Sequence, residues 1–116
     1  MCKTPIAYLL HILEECNYIL SVVTDDLPMY QFLSDETLKR AVCRSLEIVG
    51  GGTKKIPADV KYQWSDIQWK HMAGMRDRLI HDYMGVNYLI VWDVAKNIIP
   101  KLQPQIEAVI EKEQSR

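Results

Sequence analysis

The stretch WKHMAGMRDRLIHDYMG, Trp69 to Gly85, decides the fold class. Trp69, Met72, Ala73, Arg76, Ile80 and Tyr83 recur at steps of three and four. That is the period of one helix face, not the alternation of a strand. Gly85 supplies the stop. One member of the stripe is out of place, because Arg76 stands where packing alone calls for an aliphatic residue. An unpaired guanidinium in a core is strongly unfavourable, so Arg76 must meet a carboxylate, a second subunit or a solvated anion-binding cleft.

The same helical period extends outward on both sides. Thr4 and Pro5 form a helix start, a capping hydroxyl before a proline tolerated at the first helical position. Ile6, Leu9, Leu10, Leu13, Cys16 and Ile19 then give a buried stripe to about residue 23. TDDLP interrupts it, and Pro28 opens a short turn of helix carrying Tyr30 and Phe32. Ser34 is the expected cap of a second long helix with Leu38, Ala41, Val42, Leu46 and Val49 inward. Gly50, Gly51 and Gly52 are expected to close or severely weaken that helix, since each costs about 1 kcal/mol relative to alanine. With no preceding strand and no GxxxxGK[ST] frame, they are not a phosphate loop. Pro57 to Trp64 is a connector with room for one helical turn. A fourth helical region runs from about Asn87, with Tyr88, Val91, Trp92, Ala95 and Ile99 inward. Pro100 is expected to kink it or to start a new helix reaching about Glu113. No stretch alternates like a strand. The fold class is all-α, an up-and-down four-helix bundle with an additional short helix or a kinked C-terminal helix, in one domain over residues 1–116.

Composition narrows the function classes. The chain of 116 residues is 48% hydrophobic and 25% charged, and it has no apolar run of the ~18 residues a membrane span needs. CKTPIAYLL after the first methionine lacks the order of a secretory signal, so a cytoplasmic protein is expected. Cys2, Cys16 and Cys43 are odd in number and form no CxxC pair, which argues for reduced thiols over a disulfide framework or a zinc site. The net charge of −1 gives no global attraction to a polyanion. Any such site is local. Lys54, Lys55, Lys61, Lys70, Arg76 and Arg78 outnumber Asp59, Asp66 and Asp77 between positions 54 and 78, which forms either a basic patch or a solvated face.

Within the deciding helix, Arg76 and Tyr83 lie seven positions apart and share a face, about 20° from each other. His81 is about 140° round from Arg76, so in one regular helix the two side chains diverge. Either the helix loosens or a second subunit completes the pair. A histidine near a helix end also suits a surface or capping role.

The longer run GMRDRLIHDYMGVNYLIVWDVAKNIIPKL, Gly74 to Leu102, resembles the signature of HepT-like toxins of the HEPN superfamily, small helical ribonucleases paired with MNT nucleotidyltransferase antitoxins. The arginine, four residues and the histidine are Arg76 and His81. Tyr83, Gly85, Trp92, Asp93 and Pro100 supply the rest of the pattern. Upstream, RAVCRSLEIVGG resembles the second helix of the family, so the likeness runs from about Tyr8 to Ile110. Two positions depart from it. Asp77 stands where relatives usually carry asparagine, and Gly50 to Gly52 replace a helix ending that commonly carries a carboxylate.

The resemblance implies an endoribonuclease that uses no metal and no cofactor, part of a type VII-like toxin-antitoxin system. His81 acts as general base or acid on the RNA 2′-hydroxyl, Arg76 binds the scissile phosphate, and Asp77 and Arg78 are the candidate substrate contacts. A homodimer or larger assembly makes the site composite. The partner antitoxin adenylylates Tyr83 and switches the enzyme off. The competing reading is a non-catalytic helical subunit that docks a nucleotidyltransferase. A purely structural bundle is a third, in which Arg76 pairs with an internal carboxylate and no cleft exists.

Overall fold

The computed structural model describes residues 5–81 and 85–115, and every regular element among them is helical. The elements are α1 (Pro5–Val22), α2 (Met29–Ser34), α3 (Glu36–Lys54), α4 (Ala58–Gln63), α5 (Trp69–His81), α6 (Tyr88–Asp93) and α7 (Ile99–Gln114). A π-helical turn, Val94–Ile98, joins α6 to α7. The bundle consists of α1, α3, α5 and the continuous α6–π–α7 rod, with α2 and α4 in the connectors. Helix α3 lies between α1 and α5, and α1 also packs on α7. None of these helices is long and apolar enough to cross a membrane.

One apolar cluster runs through the bundle. Leu9, Ile12, Cys16 and Ile19 of α1 meet Val42, Leu46 and Val49 of α3, Met72 of α5, and Leu102, Ile106 and Val109 of α7. Two predicted stripes are rotated from where the sequence put them. In α1, Ile12 is buried and Leu10 is exposed. In α5, Met75 and Leu79 are buried with Trp69 and Met72, whereas Ile80 faces solvent and Arg76 is half-buried at the stripe's edge. The rotation moves Arg76 from the core to a boundary, which removes the cost of burying its charge. Phe32 of α2 is buried against Trp92, with ring centroids 5.2 Å apart. Cys16 and Cys43 are free and buried. Burial pushes the Cys16 thiol up to about 12, and burial with the nearby Glu47 carboxylate pushes Cys43 up to about 11, so neither is a nucleophile at neutral pH.

Two local expectations are corrected. The cap of α3 is Asp35, whose carboxylate accepts from the Leu38 amide at 3.0 Å, while the Ser34 hydroxyl donates back to the Gln31 carbonyl. The glycine run does not end α3, which continues to Lys54. A Cβ at position 50 would lie 2.2 Å from Arg76 Cβ and 2.6 Å from the Met72 carbonyl oxygen, and one at 52 would lie 2.7 Å from Ile12 Cγ1. Glycine is there because α5 and α1 approach closer than any side chain allows, and that packing overrides poor helix propensity. Pro100 does open a new helix, as expected: it stands in the first turn of α7, where a missing amide costs nothing, and α7 runs on to Gln114. The Ile99 amide donates to the Val94 carbonyl, a five-residue step that widens the turn ahead of a ring that would collide in regular α geometry.

Candidate active site

Arg76 is positioned by a close approach of α3 and α5. Its Cβ stacks over Gly50 and its Nε lies above Gly51, so the guanidinium emerges across the end of α3. There it borders a hollow of about 470 Å³ lined by Tyr8 and His11 of α1, Ile48, Gly51, Gly52 and Lys54 of α3, and Lys55 just beyond. Arg76 Nη1 donates to Asp77 Oδ1 at 3.2 Å, and Lys54 Nζ pairs with the same carboxylate oxygen. Lys54 foremost, then Arg76, holds the Asp77 carboxyl below the usual carboxylate range. Asp77 thus links α3 to α5 and orients both cations.

This arrangement meets two of the possibilities open for Arg76 at once. It pairs with a carboxylate, but a surface one shared with Lys54, and it also opens on a cleft. A purely structural arginine needs only the first.

The other candidates lie apart. Arg78, two positions on, is exposed on another side of α5 and borders a shallow hollow with Met75, Leu79, Val86, Asn87 and Ile90. His81 is exposed at the end of α5 and is not among the residues lining the hollow at Arg76. The helix is regular from Trp69 to His81, so loosening between Arg76 and His81 does not bring them together in one chain. Asp82, Tyr83 and Met84, including the candidate modification site, lie outside the described residues. Among the described residues no group of three or more His, Cys, Asp and Glu side chains stands where it could hold a metal ion.

Sequence reasoning missed Tyr8, His11, Lys54 and Lys55 as neighbours of Arg76. Tyr8 and His11 are three apart on one face of α1, which is a readable spacing. Nothing local ties that face to α3 and α5. The detectable signal was the glycine run followed by two lysines, a mark of close helix approach beside positive charge.

Comparisons with known proteins bear on the chain as a whole. The family model described as Ribonuclease HepT-like matches residues 12–109. A "Putative RNase" of Caldanaerobacter subterraneus subsp. tengcongensis is 43% identical over 96% of this chain and 98% of that protein. A "Putative RNase" of Methanocaldococcus jannaschii is 41% identical over 90% of this chain and 89% of its own length. A "Probable ribonuclease HepT" of Thermococcus cleftensis is 38% identical over 82% and 86%. No solved structure gives a significant match.

Proposed function

The chain belongs to the HepT-like ribonuclease family, and from that premise we propose that it is a metal-independent endoribonuclease whose site is completed by a second copy of the chain. The observation that carries the proposal is the presentation of Arg76 at an open cationic hollow. A planar forked donor suits a phosphodiester and the extra charge of its transition state better than a point charge does.

In the proposed reaction the RNA brings its own nucleophile. The imidazole of His81 takes the proton of the 2′-hydroxyl, and O2′ attacks the adjacent phosphorus. The bond to the 5′-oxygen breaks, and that oxygen takes a proton from a solvent water, which the His81 imidazolium then reprotonates. The products are a strand ending in a 2′,3′-cyclic phosphate and one beginning with a 5′-hydroxyl. The 140° divergence of Arg76 and His81 on a regular α5 supports a composite site, since two α5 helices related by a two-fold axis can present the arginine of one beside the histidine of the other. Asp77 serves as a positioning group for Arg76 and Lys54, and Arg78, on another side of α5, serves as a peripheral phosphate contact.

The family resemblance extends this to regulation. Adenylylation of Tyr83 by an MNT-type nucleotidyltransferase antitoxin adds a bulky anion two residues beyond His81, which blocks and repels the RNA backbone. The alternative, a docking subunit without catalysis, predicts the same partner and no RNA cleavage. Purified protein incubated with single-stranded RNA and excess chelator separates the two. Cleavage lost in His81→Ala supports the enzyme. Cleavage at the same rate in His81→Ala, or none by the unaltered chain, refutes it.

A further inference from the structure

Arg76 and His81 account for the proposed chemistry, but not for the hollow that Arg76 borders. Its floor is the outer face of the last turns of α3, where Gly51 and Gly52 carry no side chain. The three glycines are not equivalent. Positions 50 and 52 are obliged to be glycine by contacts of 2.2 and 2.7 Å, whereas a Cβ at 51 would meet only Arg76 Nε at an ordinary 3.9 Å. Packing therefore does not require glycine at 51. It weakens the helix there relative to alanine, and its structural effect is to leave the hollow open.

The rim is cationic. Lys54, Lys55 and Arg76 stand around it with one carboxylate, Asp77, paired to Lys54 and Arg76. Neither Lys55 nor His11 makes an ion pair with any described residue. The carbonyls at the end of α3 contribute partial negative charge here, and the two lysines offset it. Complementing that dipole needs two surface charges but not an open floor, so the hollow is the feature left to explain.

We infer that this hollow is an anion subsite that holds the phosphodiester next to the one being cut, with Lys55 and His11 as its donors and Lys54 recruited from Asp77 as the strand enters. The inference rests on the ribonuclease reading for its choice of RNA as ligand. It adds to that reading a strand path running from Arg76 across the end of α3 toward α1. Backbone contacts of this kind carry affinity without sequence preference.

The test measures binding apart from cleavage, using full-length protein carrying His81→Ala and a labelled single-stranded RNA of about twelve nucleotides, within the range such sites cover. Gly51→Leu fills the hollow, and Lys55→Gln removes one donor. Each is expected to weaken binding roughly tenfold, with Lys55→Gln also lowering the slope of log affinity against log salt by about 0.7. Thermal unfolding of Gly51→Leu at or above the parent temperature shows that the loss is not misfolding. Should Gly51→Leu fail to fold, Lys55→Gln decides. Unchanged affinity and salt slope in the folded variants overturn the subsite. Displacement of the RNA by a nucleoside monophosphate at equal phosphate concentration would make the hollow a mononucleotide site and overturn the strand path. The chelator assay on the unaltered chain is independent of these outcomes. Loss of binding in the variants without cleavage by the unaltered chain keeps the subsite and refutes the ribonuclease.

Discussion

Alanine substituted singly at Gly50 and at Gly51 should move stability in opposite directions, although the two positions are adjacent in one helix. Each replacement removes the flexibility of a helical glycine, a gain of about 1 kcal/mol. At position 51 little opposes it, because the nearest atom to the new methyl is 3.9 Å away. At position 50 the methyl would stand 2.2 Å from Arg76 Cβ and 2.6 Å from the Met72 carbonyl oxygen. Both atoms ride on the backbone of α5, so no rotamer change relieves the overlap and the two helices must separate. Overpacking of this kind costs typically 1–3 kcal/mol, and a clash against a rigid helix belongs at about the upper end. The net expectation is a loss of about 2 kcal/mol for Gly50→Ala, a fall of roughly 8 °C in Tm for a chain of this size. Gly51→Ala should instead gain up to about 1 kcal/mol. Urea unfolding followed by far-ultraviolet circular dichroism measures both. Gly50→Ala as stable as the parent, or a shift of the same sign in both variants, would refute the close approach of α3 and α5 that positions Arg76.

Asp77→Asn should strengthen RNA binding severalfold and steepen its salt dependence, because it takes an anion from between Lys54 and Arg76; filter binding at several salt concentrations reads it. The carboxyls of Asp77 and Glu36 are held below their ordinary values, chiefly by Lys54 and Lys39 respectively. For a depressed carboxyl the stabilisation is fully present above the unfolded value and disappears as pH falls through the folded one. Urea midpoints should therefore be flat above about pH 5 and fall below about pH 4, less steeply in Asp77→Asn. Ile106→Ala, at a position with no solvent exposure, should lose about 2–5 kcal/mol in the same unfolding experiment without changing the bound state of RNA.

The period of apolar residues was enough to read α1, α3 and α5 as helices, since each buries one stripe against the others. What it could not supply was the rotation of each stripe. Leu10 and Ile12, or Leu79 and Ile80, are nearly interchangeable in hydrophobicity, and only the neighbouring helices decide which is covered. Propensity misread Gly50 to Gly52 for the same reason, because a local penalty was outweighed by an approach between distant segments. Arg76 was visible as an anomaly in its helix. Its surroundings were not, since Tyr8, His11, Lys54 and Lys55 come from α1 and the end of α3 and meet Arg76 only in the folded chain.

The central claim is that Arg76 of one copy works with His81 of another, and subunit mixing tests it most directly. Arg76→Ala and His81→Ala proteins, each inactive alone, are unfolded together, refolded as a mixture and assayed on single-stranded RNA with chelator present. In a two-fold composite site, mixed dimers carry one intact arginine and histidine pair, so the account predicts recovery of about a quarter of the unaltered activity. A mixture that forms mixed dimers and stays as inactive as its components would contradict it.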